Sequence, residues 1–258
     1  MKVVILAGGR GSRLAELTEV VPKPMVHIGE RPILWHIMKH FARHGHTEFV
    51  IALGYKGYVV KEFFLNYRML SASLTVDLAN GATSVHDGGD MADDWKVHLV
   101  ETGLETGTGG RLHRLSRWLR HEPFFLTYGD GVANVDLDGL LAAHRNDGRL
   151  ATITAVRPPS RFGGLAFEGE RVSEFIEKPQ IGEGWINGGF MVLEPGVFAY
   201  TTSATDSLEK EVLERIAMDG RLGAHRHQGF WQCMDTLRER DHLEDLWQSG
   251  KAAWKTWP

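Results

Sequence analysis

The segment Leu6-Ala7-Gly8-Gly9-Arg10-Gly11-Ser12-Arg13-Leu14 sets three glycines and two arginines within six residues, directly behind an apolar run. Glycines at that spacing let backbone N–H groups approach an anion, and a helix starting behind the loop adds a favourable dipole. The chemistry implied is phosphate binding. A tight strand-to-helix turn without a ligand is the other reading, and the two arginines weigh against it. Two well-known phosphate loops do not fit. A P-loop ends in Gly-Lys-Ser/Thr, whereas Arg13 follows Ser12 here. The dinucleotide fingerprint needs a glycine at the sixth place counted from Gly9, and that residue is Leu14. Further on, Lys23 stands between Pro22 and Pro24. Prolines on both sides restrict its backbone and lower the cost of ordering it, and a compact ammonium suits a polyphosphate. A solvated surface turn remains the alternative for that tripeptide.

These residues need a scaffold, and the apolar pattern supplies one. Residues 3–7 form a continuous buried-strand run. Ile33, Leu34, Ile37, Met38 and Phe41 recur at helical spacing, ahead of a strand-like stretch at 48–53. Leu112, Leu115, Trp118 and Leu119 mark another amphipathic helix, followed by strand 124–128, helix 137–143 and strand 151–156. Strands separated by helices of this length predict an α/β fold with a doubly wound, mostly parallel, Rossmann-like sheet. Beyond residue 160, short strand candidates at 165–167, 172–176 and 190–193 predict a small accessory β layer on the same core. Helical patterns return at 207–218 and 237–247. The expectation is a single domain over 1–258, without linker or internal repeat.

Composition narrows the partners. With 29 basic against 33 acidic side chains, the net charge of −4 excludes a broad cationic surface for nucleic acid. Any phosphate must be held by a few local groups. One cysteine, Cys233, can form neither an internal disulfide nor a cysteine zinc site, which suits a reducing cytoplasm. The apolar opening is broken by Gly8 before it reaches signal-peptide length, and no run approaches the ~20 residues of a membrane span. A cytoplasmic protein with no membrane partner is expected. Thirty glycines in 258 residues, about 12% against a usual ~7%, are the compositional excess. They cluster at 8–11, 107–110, 129–131 and 188–189.

The glycine loop followed by Pro22-Lys23-Pro24-Met25 resembles the signature of the sugar-1-phosphate nucleotidyltransferases. Pro32-Ile33-Leu34-Trp35-His36-Ile37-Met38, Gly54-Tyr55-Lys56-Gly57-Tyr58, Thr127-Tyr128-Gly129-Asp130-Gly131 and Asn187-Gly188-Gly189-Phe190 extend the likeness. So do Gly229-Phe230-Trp231-Gln232, Met234-Asp235-Thr236 and Trp254-Lys255-Thr256-Trp257. Together they are most similar to the members that join CTP to glucose 1-phosphate. That resemblance implies a sheet of the nucleotidyltransferase type. Residues 1–160 would form the nucleotide-binding core, and 161–258 would carry sugar-binding and accessory or oligomer elements. It further implies a Mg²⁺-dependent in-line displacement, giving CDP-glucose and pyrophosphate.

By the same resemblance, Leu6, Ala7, Gly8, Gly9, Arg10, Gly11, Ser12 and Arg13 hold the nucleotide together with Lys23, Thr106, Arg111 and Gly129. Arg13, Lys23, Asp130 and Asp235 are the implied catalytic set, with Asp130 and Asp235 as the metal ligands. Glu177, Lys178, Asn187 and Gly188 are implied to contact the sugar phosphate, Lys178 at its phosphate. Arg111 also begins an amphipathic helix, so a solvated first-turn arginine is its alternative. Asp235, just before Thr236 and a helical stretch, also suits a cap. The sequence departs from the family at Val21, Gly107, Leu208 and Cys233, where lysine, a larger residue, tryptophan and proline are usual. The phosphate and metal groups are intact, so base and sugar identity are what these departures leave open. UTP, dTTP or another sugar phosphate are the rival substrates, and a non-catalytic nucleotide-sugar-binding regulator is the rival class.

Other signals are set aside. His36, His40 and His44 recur every four residues without the glutamate of a zinc protease, and are expected on a solvated helix face. His225 and His227 are read the same way. Cys233 is expected to be a packing residue, because no covalent step is needed. Trp247, Trp254 and Trp257 are expected to cover the protein's own core or a neighbouring subunit, and a homo-oligomer is expected.

Overall fold

Eight strands make the main sheet among the residues that the structure, a computed structural model, describes: 1–11, 14, 18–88, 93–158, 164–168, 171–176 and 184–257. They are β1 (Val3–Leu6), β2 (Glu48–Leu53), β3 (Lys96–Glu101), β4 (Phe124–Tyr128), β5 (Ala151–Val156), β6 (Ile186–Asn187), β7 (Met191–Leu193) and β8 (Leu222–Arg226). Across the sheet the order runs β3, β2, β1, β4, β7, β5, with β6 beside β7 on the same flank of β5 and β8 on the other. Neighbours are parallel except where β6 and β7 pair antiparallel with β5, and β7 with β4. The predicted mostly parallel sheet is present.

Its central strand shows why the run at 3–7 lacks polar alternation. Val3 and Ile5 pack on one face with Ile33, Ile37, Met38 and Phe41 of α1 (Ile33–Arg43). Val4 and Leu6 pack on the other with Leu112, Leu208, Val212 and Ile216. A strand covered on both faces needs apolar residues at every position, and each such burial contributes about 1.5–3 kcal/mol. After β2 the chain continues through α2 (Gly57–Leu65) to β3, then returns through α3 (Thr108–Arg114) to β4 on the far side of β1. The strand order therefore reverses between β1 and β4. In open α/β sheets, ligands bind at the carboxyl ends of the strands flanking such a point.

Two expectations are corrected. Residues 190–193 do not join an accessory layer: β7 lies inside the main sheet, between β4 and β5. Met191, Val192 and Leu193 are all fully buried, and only a central position covers both faces. Likewise β8 pairs with β5. The remaining short strands form separate two-stranded pairs, among them Gly164–Glu168 with Arg171–Ile176 and Gly131–Ala133 with Trp231–Cys233.

The histidine face of α1 is also not solvated. His36 Nε2 donates to the Ile28 carbonyl at 2.8 Å, and its Nδ1 accepts from Trp254 Nε1 at 3.4 Å. His40 Nε2 donates to the Val135 carbonyl at 3.0 Å, with Thr256 on Nδ1. Burial lowers both pKa values to about 4, so both rings are neutral at pH 7. The cover comes from the C-terminal segment, whose Trp254 and Trp257 are buried in the same cluster. Those tryptophans thus complete the protein's own core. His44 pairs with Asp138 at the surface, and half-buried His227 donates to the Phe230 carbonyl at 3.1 Å. Among the described residues, no helix is long and apolar enough to cross a membrane.

Candidate active site

A cleft of about 410 Å³ opens at the carboxyl ends of β1 and β4. Leu6, Ala7, Gly8, Gly9 and Gly11 form one wall, and Tyr128, Gly129 and Asp130 line it from the end of β4. Gly11 takes φ +64, a left-handed conformation that favours glycine, and its carbonyl accepts from Leu14 N. Gly8 meets a different demand. A Cβ there would lie 2.2 Å from the Arg111 guanidinium.

Arg111 is buried and is not the solvated first-turn residue that its sequence position allowed. Its Nη1 donates to the Leu53 and Gly103 carbonyls and to Thr102 Oγ1, at 3.2, 2.7 and 2.7 Å. Nη2 donates to the carbonyls of Gly8 and Leu104. One side chain thus ties the carboxyl ends of β1, β2 and β3 together, and burial, then Arg114, lowers its pKa below the usual arginine value. Arg111 borders the cleft while fixing the backbone that shapes it. Thr106, Gly107 and Thr108 complete this side. A Cβ on Gly107 would meet the carbonyl oxygens of Asp206 and Thr205 at 2.3 and 2.5 Å, so this chain has no room for the family's larger residue.

Lys23 enters from a 3-10 turn, Lys23–Met25, whose first hydrogen bond runs from Met25 N to Pro22 O at 2.7 Å. Pro22 and Pro24 preset the backbone here, and the side chain is buried rather than solvated. Its Nζ donates to Asp130 Oδ2 at 2.6 Å and to Asp235 Oδ1 at 2.5 Å. Burial alone would lower the lysine's pKa, but Asp130 and Asp235 outweigh it and raise the pKa above its ordinary value. Lys23 is therefore a cation throughout the neutral range.

Asp130 and Asp235, far apart in sequence, meet because Gly131–Ala133 and Trp231–Cys233 pair antiparallel with Cys233 opposite Gly131. Met234 N then donates to the Asp130 carbonyl at 2.9 Å. Asp235 does not cap the helix that follows. Thr236 caps α4 (Leu237–Gln248), in a capping box with Glu239. Both carboxylates converge on one cationic nitrogen while their side chains stay 32% and 21% exposed, at the edge of the cleft. Hard oxygen donors arranged in this way fit a divalent cation that keeps waters or phosphate oxygens on its open side.

Other expected site residues are placed less centrally. Arg10 is exposed and pairs with Glu105. Asn187 stands beside the cleft, its Nδ2 donating to the Tyr128 hydroxyl at 3.3 Å, and Gly188 O accepts from Trp231 Nε1 at 2.7 Å. Ser12, Arg13, Glu177 and Lys178 lie outside the described residues. Cys233 is half-buried, and burial followed by nearby Glu239, Asp235 and Asp130 pushes its thiol up to about 12, so it is no thiolate nucleophile. Leu208 is fully buried in the core. The sequence reading missed Tyr128 and Thr108 as wall residues. Tyr128 is the half-exposed end of an otherwise buried strand, a change of pattern that sets it apart.

A family model described as Nucleotidyl transferase matches residues 2–232. The glucose-1-phosphate cytidylyltransferase of Salmonella typhi is 48% identical over 258 residues, covering all of both chains. A probable glucose-1-phosphate cytidylyltransferase of Bacillus subtilis is 42% identical, again over the whole of both. Among solved structures, HddC from Yersinia pseudotuberculosis aligns with a TM-score of 0.70 at 22% identity, over 95% of this chain and 99% of that one. A UDP-glucose pyrophosphorylase complexed with UDP-glucose aligns with a TM-score of 0.69 at 15% identity, over 96% and 98%. Both structural likenesses concern the fold.

Proposed function

The chain belongs to the nucleotidyl transferase family, and we propose that it transfers the cytidylyl group of CTP to α-D-glucose 1-phosphate, giving CDP-glucose and pyrophosphate. The observation that carries the mechanism is the ammonium of Lys23 held between two carboxylates at the mouth of a glycine-walled cleft. A sugar phosphate has a second pKa near ~6 and is largely dianionic at neutral pH, so no general base is needed to make it a nucleophile. The protein's task is to hold two mutually repelling anions in line and to neutralise charge on the departing pyrophosphate.

The backbone of Gly8, Gly9 and Gly11 gives the triphosphate close approach, with Arg111 fixing that backbone. Lys23 supplies the fixed positive charge. Arg13 is assigned to the nucleotide phosphates. Asp130 and Asp235 would hold Mg²⁺, which when bound screens the phosphates and stabilises the leaving group. Asn187 and Gly188, with Glu177 and Lys178, are assigned to the sugar phosphate. The cytosine and glucose preferences rest on the full-length relatives rather than on the cleft. Offering CTP, UTP and dTTP in turn with glucose 1-phosphate and Mg²⁺, and following pyrophosphate release, tests the reading. CTP is expected to be fastest. Faster turnover with another nucleotide overturns the base assignment, and no turnover with any of them overturns the activity.

A homo-oligomer is part of this proposal, on different grounds from the tryptophan tail. The hairpin Ala72–Asp77/Ala82–Gly88 carries Leu74, Val76, Leu78 and Val85 exposed, Leu78 at 91%. Apolar residues gathered on a projecting hairpin mark an association surface. Light scattering is expected to give a multiple of the chain mass, reduced by Leu78→Lys. A wild-type monomer at working concentration overturns it. A cytoplasmic location, expected from composition, is also part of this proposal.

A further inference from the structure

Glu209 lies on the π-helical turn Leu208–Leu213, bonded to the cleft-wall residues Tyr128 and Thr108 and outside every group assigned above. Turns of that type are uncommon and often mark functional positions. Its carboxylate gathers three hydroxyls. Tyr128 donates to Oε1, while Ser207 and Thr108 donate to Oε2 at 2.8 and 3.1 Å. Desolvation alone would raise the carboxyl pKa, but these hydroxyls hold it below the ordinary glutamate range.

A hydroxyl has one proton to give, so each of these three is oriented by where it sends it. Tyr128 gives its proton to Glu209 and therefore turns a lone pair toward Asn187, whose Nδ2 donates to it at 3.3 Å. Asn187 Oδ1 in turn accepts from Gly189 N at 3.0 Å. The amide cannot flip without setting a donor against the Gly189 N–H and an acceptor against the Tyr128 lone pair. One Nδ2 hydrogen is used by Tyr128, and the second is left to face a ligand hydroxyl. The backbone beyond Asn187 is built for this. Gly189 takes φ +74 and Phe190 φ +47, which breaks the edge between β6 and β7 just where Asn187 must turn aside. A left-handed phenylalanine is strained and persists only where its surroundings impose it.

We infer that Glu209 is a positioning residue for the hexose, acting through the Tyr128 hydroxyl to fix the donor orientation of Asn187. This rests on the proposed placement of glucose 1-phosphate beside Asn187. Glu209→Ala frees the Tyr128 proton to oppose Asn187 and is expected to raise KM for glucose 1-phosphate about tenfold, the scale of one net hydrogen bond. The turnover number and KM for CTP are expected to stay within about threefold, since the phosphate and metal groups are untouched. Tyr128→Phe removes the same relay, so the double variant is expected to be no worse than about twofold beyond either single one. Glu209→Gln keeps an oxygen for the phenol proton and is expected to recover most of the loss.

A merely structural role would lower the melting temperature and depress all parameters together, without that coupling or rescue. The inference is overturned if Glu209→Ala leaves KM for glucose 1-phosphate within twofold, or if the effects of Glu209→Ala and Tyr128→Phe multiply. A wild-type protein inactive on glucose 1-phosphate would instead overturn the substrate reading itself.

Discussion

Lys23→Met is expected to lower kcat/KM for pyrophosphate release by about 10²–10³-fold, the scale seen when one fixed group facing developing charge is removed. Lys23 is buried, preset by two prolines, and already paid for in ordering before any substrate arrives. Methionine keeps much of the volume and removes only the charge. It also leaves Asp130 and Asp235 facing each other without their shared counter-ion, so the comparison belongs at saturating Mg²⁺, with the melting temperature followed alongside. Lys23→Arg is not expected to restore activity, because a planar fork does not reproduce a point charge between two carboxylates. A methionine variant within tenfold of wild type would show that Lys23 is only a structural ion-pair partner.

Asp235→Ala is expected to cost at least about 10²-fold in turnover at limiting Mg²⁺, with the loss partly recovered as Mg²⁺ is raised. The fold is expected to survive. Helix α4 takes its cap from Thr236 and Glu239, so the start of the helix does not depend on the aspartate side chain. That separation makes the variant informative, since a drop in rate without loss of the folded state points to the carboxylate's work in the cleft. Near-full turnover at limiting Mg²⁺ would remove Asp235 from the metal pair and leave its contact with Lys23 as a purely structural one.

Much of the scaffold was legible because its signals are local. Alternating apolar runs and helical stripes gave β1, β2, β4, β5 and α1, and hence a mostly parallel sheet. The readings that failed share one cause. His36 and His40 looked solvated because helix periodicity does not report a segment more than two hundred residues away that folds over them. Residues 190–193 looked peripheral because a three-residue strand carries no sign of which neighbours it will have. Arg111 was ambiguous for the same reason. Its sequence position says helix start, whereas its guanidinium answers to carbonyls at the carboxyl ends of three different strands.

By itself the sequence determined the glycine loop behind a buried strand and the proline-framed lysine, because backbone freedom and rigidity are written in the residues that own them. It also determined that a chain with net charge −4 must hold its anions through a few fixed groups. Only the tertiary structure decided that Asp130 and Asp235 share one ammonium. That pairing depends on the register of two three-residue strands, Cys233 against Gly131, and such a register is set by long-range packing rather than by local composition.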